Sequence, residues 1–333
     1  MRPPGADGGV PEEDGAVPVT EADATPAPDA RPSAEVPLSM DVKIIVVPQS
    51  NDQPLIDAIA AAKTSVHVIM YLFTSTRVQN ALVSAKQKGR DVKVILNQTF
   101  PGGSGSNQNM FNTLKNAGIQ VVWAPSGFTL THAKTVIIDA TTAWIMTMNT
   151  TQTSPTDNRE FLAVDSEPVD VAEAEDIFDA DFNNQSHQLK GNLVVSPINS
   201  LARLTALIET ATTSVDLEGE ELSDTSIVKA LIARADAGVK VRCVLPDATR
   251  TPAQEAAVTM LKAHMVPLVT VSKPYIHSKA IVVDGVRAYV GSENFTTASL
   301  IYNREIGVIF GDPAEVMKVT STIAKDFAAG KTL

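Results

Sequence analysis

The chain has 333 residues, 44% of them hydrophobic, with a formal net charge of −11. That length and apolar content suffice for two ordinary domains, or one large one, with a sizeable core. Six of the net negative charges fall in residues 1–40, so the remainder is mildly acidic, which weighs against a dedicated duplex-binding protein with its basic stripe.

Residues 1–40 include "PEEDGAVPVTEADATPAPDARPSAEVP" and read as a disordered, extended tail rich in Ala, Pro and acidic residues. Such tethers often follow an export signal or lipid anchor, so a secreted or cell-envelope location is expected, with the cytoplasm as the alternative. No signal-peptide hydrophobic segment is present. No run approaches the ~20 apolar residues of a membrane span. "DVKIIVVP" then predicts a strand, followed by a helix capped by Asn51. From Thr64, "TSVHVIMYLF" predicts a strand; a helix with apolar residues at Val78, Leu82 and Ala85 ends at Gly89; and Val92–Leu96 is again a strand. The loop "FPGGSGSNQ", 100–108, lacks the phosphate-binding G-x-x-x-x-G-K-[ST] pattern and reads as a mobile lip. "THAKTVIID", 131–139, and "MTMNT", 146–150, are β-type runs carrying polar residues. "NREFLAV" precedes a helix over about 167–184, and the polar stretch "NNQSHQLKGN" marks a boundary near residue 190.

The second part repeats the first. "GNLVVSP" leads to a helix capped by Asn199, and "TSVDLEGEEL" opens a strand–helix–strand unit whose helix ends at Gly238. "IHSKAIVVD", "GSENF" and "NREIGVIF" follow, then a helix over about 312–328. The expected fold is α/β: two similar halves, 41–189 and 190–333, with a mostly parallel or mixed sheet in each, packed around a pseudo-twofold axis. A site on that axis receives one copy of each motif from each half.

In a strand, residues i and i+2 share a face, so His132 emerges beside Lys134 and His277 beside Lys279. Asp139 and Asp284 fall at strand ends. Asn149 and Asn294 each precede a glutamate by eleven residues, Glu160 and Glu305, both within Asn-Arg-Glu. These residue types suit phosphate-ester chemistry. One histidine attacks phosphorus, and the other donates a proton to the leaving oxygen. The lysines and asparagines stabilise charge on the phosphoryl oxygens. A carboxylate on each histidine's far nitrogen fixes its tautomer, and Glu160 and Glu305 are the candidates. No metal-ligand cluster is visible and two lysines would repel a divalent cation, so no metal or other cofactor is expected.

These motifs resemble those of the phospholipase D superfamily, His-x-Lys-x4-Asp followed by Gly-Ser-x-Asn. His277, Lys279, Asp284, Gly291, Ser292 and Asn294 match in full. His132, Lys134, Asp139 and Asn149 match, but Met146 stands where glycine is usual, and would crowd the loop, and Thr147 stands for serine. The resemblance spans residues 42–330. It implies a bilobal α/β fold and a two-step displacement through a phosphohistidine, with His132 as nucleophile and His277 as acid and then base. It gives the two aspartates a supporting role, as Thr147 and Ser292 would have. The expected activity is phospholipase D-type hydrolysis of glycerophospholipids to phosphatidic acid and a head-group alcohol, with transphosphatidylation as a second outcome when an alcohol replaces water. The alternatives are a metal-independent endonuclease of the same fold, a cardiolipin synthase-like phosphatidyltransferase, and a non-catalytic binder with a decayed site. The expected partner is phospholipid at a membrane surface, with no stable nucleic-acid complex; the doubled motif needs no second copy, so a monomer is expected.

Other residues read as structural. His67 and the single cysteine, Cys243, sit on apolar strands; His187 and His264 read as solvated; Trp123 and Trp144 read as core. Glu220 and Glu221 occupy the strand-end position held by Tyr71 and Leu72 in the first half, and read as helix-capping or solvated, with the pocket rim as the alternative. Phe128, Phe295, Leu300, Ile301 and Tyr302 either pack internally or dip into lipid.

Overall fold

The structure is a computed structural model describing residues 36–103 and 105–333. The first half holds β1 (Val42–Val47), α1 (Gln53–Ala61), β2 (Ser65–Met70), α2 (Thr76–Gln87), β3 (Asp91–Leu96), α3 (Gln108–Asn116), β4 (Gln120–Trp123), β5 (Lys134–Ile138), β6 (Thr142–Met146), α4 (Ser154–Asp157), β7 (Asn158–Asp165) and α5 (Pro168–Phe182). The second holds β8 (Leu193–Ser196), α6 (Ser200–Glu209), β9 (Ser214–Gly219), α7 (Thr225–Asp236), β10 (Lys240–Pro246), α8 (Pro252–Ala263), β11 (Leu268–Val271), β12 (Tyr275–Ile276), β13 (Lys279–Val283), β14 (Arg287–Gly291), β15 (Glu305–Phe310), α9 (Pro313–Ala329) and β16 (Lys331–Thr332).

The two sheets have one topology. The first runs β1-β7-β6-β5-β2-β3-β4 and the second β8-β15-β14-β13-β9-β10-β11, with β16 on its edge. In each, three strands are parallel and the rest antiparallel, a mixed α/β sheet. Helices α1–α3 cover the outer face of the first sheet in one apolar cluster, and α6–α8 cover that of the second in another. The third cluster lies between the sheets: Ile137 and Ile145 from one, Val282 and Val308 from the other, with Ile177 and Phe178 of α5 and Val316 and Ile323 of α9. The halves therefore share a core rather than abut. Burial of this kind stabilises at about 25 cal/mol per Å².

Local signals explain the helix ends. Gly89 and Gly238 follow their helices with φ of 81° and 86°, a region open to glycine at little cost. Asn51 is not the cap of α1: it adopts a left-handed turn (φ 48°), and Asp52 takes the cap position. Asn199 does sit at its cap position, but its side chain turns back, accepting from Val195 N and donating to Leu193 O. Most of the proposed tail lies outside the described residues. Its last five, 36–40, are not loose: Val36 and Leu38 pack on the second-half cluster, Ser39 N donates to Ile309 O (2.9 Å), and Ser39 Oγ donates to Asp165 (3.0 Å). Val36 and Leu38, two positions apart, give this stretch an apolar face that docks. His187 is half-buried rather than solvated, and its Nε2 is buried without a hydrogen-bond partner.

Candidate active site

The site lies where the N-terminal ends of β5 and β13 meet the starts of β7 and β15. Each Asn-Arg-Glu motif serves the histidine of the opposite half. Arg304 O accepts from His132 N at 2.9 Å, and Arg159 O accepts from His277 N at 3.3 Å. The side chains of those arginines are anchored across the interface too. Arg304 forks onto Asp181 of α5 (2.9 and 3.0 Å), and Arg159 forks onto Asp326 of α9. The next residue supplies the carboxylate. Glu305 lies 2.9 Å from His132 Nδ1, and Glu160 lies 2.8 Å from His277 Nδ1. Both glutamates are fully buried, and hydroxyls hold them: Thr147 Oγ1 donates to Glu160, and Ser292 to Glu305. Threonine in place of serine therefore keeps the contact.

Lys134 and Lys279 have no solvent exposure. Lys134 Nζ donates to His132 Nε2 (2.8 Å) and His132 O (2.6 Å); Lys279 Nζ donates to His277 O (2.7 Å) and Glu220 Oε2 (2.9 Å). Asn149 Oδ1 accepts from Leu72 N (3.3 Å), and Asn294 Nδ2 donates to Glu221 (3.4 Å), the residue in the place of Leu72.

The two histidines differ in what faces them. Tyr71 sets its edge on His132, with ring centroids 4.5 Å apart, and lies under the Lys134 ammonium at 5.1 Å. At the equivalent place in the second half Glu220 reaches 3.5 Å from His277 Nε2. Burial, reinforced by the Lys134 and Lys279 charges, holds His132 well below the ordinary histidine range. Burial also pushes Lys134 down to about 7 against the pull of Glu305, and pushes Glu305 up to about 7 against the pull of Lys134. For Glu220 burial works upward, but His277 and Lys279 outweigh it and hold the group at about 2.

Asp139 and Asp284 stand at the far ends of β5 and β13, away from the histidines, both at φ 55°. Asp139 accepts from the backbone N–H of Lys63, Thr64 and Ser65, and Asp284 from those of Thr212, Thr213 and Ser214. They clamp the repeated Thr-Ser-Val strand starts and are structural.

Met146 does not crowd the site. Its fully buried side chain lies in the outer core beside Met148 and Leu162. In the second half the matching cross-strand pair is Gly291–Gly307, and Tyr289 and Glu293 fill the space. A Cβ on Gly291 would sit 2.3 Å from Tyr289 Oη and 2.6 Å from Gly307 Cα. Each half thus fills one volume in its own way.

The doubled site decides the family. The family described as "Cardiolipin synthase, PLD-like domain" matches residues 55–182 and again 204–329, one segment in each half. The chain belongs to the phospholipase D superfamily. Enzymes of this superfamily catalyse phosphodiester transfer. A cardiolipin synthase of Listeria monocytogenes serotype 4b (strain CLIP80459) is 23% identical over 337 residues, covering 86% of this chain and 68% of its own. The phosphatidylserine synthase of Haemophilus influenzae Rd KW20 shares the fold, with a TM-score of 0.69 at 12% identity over 90% of this chain and 89% of its own. A polyphosphate kinase from Porphyromonas gingivalis gives 0.68 at 16% identity over 85% of this chain; the chain spans 46% of that kinase. At these identities the two structures speak for the fold.

Several residues sort differently from their sequence reading. Glu220 is neither a cap nor solvated: it contacts His277 and Lys279 inside the site, and Glu221 touches Asn294. Tyr71 has a place beside His132 that no motif signalled; a strand-end aromatic in register with Glu220 was the available hint. Phe295 and Leu300 are core, Phe128 lies on the Arg304 guanidinium (4.2 Å), and Tyr302 is exposed. Phe100 of the glycine-rich loop packs on Tyr71 (5.2 Å), so this loop does rim the site. His67 is held by Glu175 (2.7 Å) and stacks on Phe178, remote from the site. Cys243 is buried and its thiol is pushed up to about 12 by burial. Among the described residues no helix is long and apolar enough to cross a membrane.

Proposed function

We propose that the protein is a phospholipase D-type phosphatidyl-transfer enzyme acting on glycerophospholipids, with His132 as nucleophile and His277 as acid and base. The inequivalence of the two histidines carries this reading. His132 is kept neutral, with its Nδ1–H on Glu305 and its Nε2 lone pair toward Lys134. His277 has a carboxylate at each ring nitrogen, Glu160 at 2.8 Å from Nδ1 and Glu220 at 3.5 Å from Nε2, so its neighbours are proton acceptors where His132 has an aromatic edge.

In the first step His132 Nε2 attacks phosphorus, and the P–O bond to the head group breaks. The leaving oxygen takes a proton from His277 Nε2, and Lys134 and Lys279 exchange their present partners for phosphoryl oxygens. In the second step an acceptor hydroxyl loses its proton to His277 and displaces His132. Water gives phosphatidic acid; an alcohol gives a new phosphatidyl ester. General acid–base catalysis of this kind contributes about 10²–10⁴-fold. The lipid substrate is supported by the mildly acidic body and by the name of the Listeria relative.

The test is product analysis of mixed phospholipid vesicles incubated with the protein in EDTA and a little ethanol. Phosphatidic acid with phosphatidylethanol is expected. No lipid turnover, with cleavage of single-stranded DNA by the same preparation, would replace this reading by the endonuclease one.

A further inference from the structure

Beyond His277 a pocket opens between the ends of β9 and β10 and the start of α8. Glu220, Glu221 and Tyr275 form its inner wall, and Leu245, Arg250 and Thr251 its outer wall. It measures about 50 Å³, room for roughly three to five water-sized groups. It lies on the side of the proton-donating histidine, where the leaving alcohol must depart and any incoming alcohol must arrive. Among the carboxylates of the inner wall, Glu220 already has Lys279 (2.9 Å) and the Tyr275 hydroxyl (3.4 Å) on its two oxygens. On the outer wall Arg250 donates its Nε–H to Glu255 at 2.9 Å. Asn294, 7% exposed, leaves its Oδ1 without a partner while its amide nitrogen touches Glu221.

Resting on the phosphatidyl-transfer reading, we infer that this pocket is the alcohol subsite and that it selects a small alcohol carrying a primary ammonium. When a phosphodiester enters, its charge draws on Lys279, and Glu220 loses its counter-ion inside a buried site. An ammonium on the same substrate replaces that charge, whereas a neutral polyol such as glycerol leaves the buried carboxylate without a counter-ion. A primary ammonium brings three donors for the oxygens of Glu220, Glu221 and Asn294. A quaternary ammonium brings none, and calls for an aromatic cage where this pocket has one tyrosine. The small volume suits a short chain such as ethanolamine.

The experiment is an internal competition. Vesicles holding phosphatidylethanolamine and phosphatidylglycerol in equal amounts are treated with the full chain, and released ethanolamine and glycerol are measured together. A parallel arm offers equal free ethanolamine and glycerol as acceptors to phosphatidylcholine vesicles, which separates a leaving-group preference from an acceptor preference. Wild type is expected to favour the amine at least about tenfold in one arm or both. Glu221→Gln should reduce that ratio about tenfold, and Glu220→Gln should do the same in its residual turnover. Because both products come from one reaction, a general loss of activity cancels in the ratio. Turnover of both head groups and both acceptors without preference in wild type would overturn the subsite assignment and leave the phosphatidyl-transfer reading standing, as would a preference unchanged in Glu221→Gln. No turnover of any phospholipid would overturn both.

Discussion

The two halves share a strand order, a His-x-Lys pair and a hydroxyl-held glutamate, yet their second layers differ. Beside His132 stands an aromatic edge, Tyr71. Beside His277 stand Glu220 and, through Glu220, Tyr275; farther out, the volume that Met146 and Leu162 fill in the first half is filled in the second by Tyr289 and the buried Glu293. The symmetric parts are those to which the proposed mechanism assigns the phosphoryl group. The asymmetric parts give two identical side chains different surroundings, an aromatic edge for one and a second carboxylate for the other. Duplication supplied the frame, and divergence at strand ends supplied the division of labour.

The comparison breaks most severely if one half is given the other's filling. Gly291→Met has no room beside Tyr289 Oη and Gly307 Cα. We expect a loss above about 4 kcal/mol, enough to prevent recovery of folded protein. The reverse change, Met146→Gly, leaves a cavity and should cost about 3 kcal/mol in urea unfolding with the catalytic residues in place.

The cross-half pairing is tested next. Glu305→Gln should lower kcat at least about a hundredfold by releasing His132, although Glu305 belongs to the other half. A drop of less than threefold would show that His132 is positioned by its own half alone. The buried pair Lys134 and Glu305, both near 7, should give a bell-shaped rate profile with macroscopic limbs around neutrality. Activity falls below the maximum as Glu305 gains a proton, and above it as Lys134 loses one. With a nitrophenyl leaving group, which needs no proton, Lys134→Arg should move the alkaline limb up by at least about one pH unit. An unmoved limb would assign it to another group.

The smallest effect belongs to the clamps. Asp139 is held at about 2 by the backbone N–H groups it accepts from, and Asp284 is lowered for the same reason. Each folded-state value lies below the unfolded one, so this stabilisation is present above about pH 4 and is lost as pH falls toward the folded value. Both groups sit near solvent, so after screening Asp139→Asn or Asp284→Asn should cost roughly 1 kcal/mol, with little change in kcat.

Much of this was legible in the amino-acid order because duplication prints itself as spacing. The His-x-Lys pairs, the asparagines and glutamates at equal separations, and the glycines ending α2 and α7 all lie within one half. What spacing could not convey is contact across the interface. Nothing local says that Glu305 serves His132 rather than His277, or that Arg159 and Arg304 anchor on helices of the opposite half. Glu220 was ambiguous for the same reason: a carboxylate at a strand end caps, dissolves or lines a site according to what folds over it. Met146 looked like a defect because its compensation, Leu162, lies opposite it on the next strand and becomes visible only once register is known.

In the proposed mechanism His132 forms the covalent bond and His277 moves the protons. This division of roles is tested most directly with a phosphatidyl ester of p-nitrophenol, whose leaving group needs no acid. His277→Ala should release about one equivalent of nitrophenol in a burst and then stall, with the phosphatidyl group on His132 by mass spectrometry of the alkaline-quenched protein. His132→Ala should give no burst. A burst in His132→Ala, with the label on His277, would contradict the account and reverse the roles of the two halves.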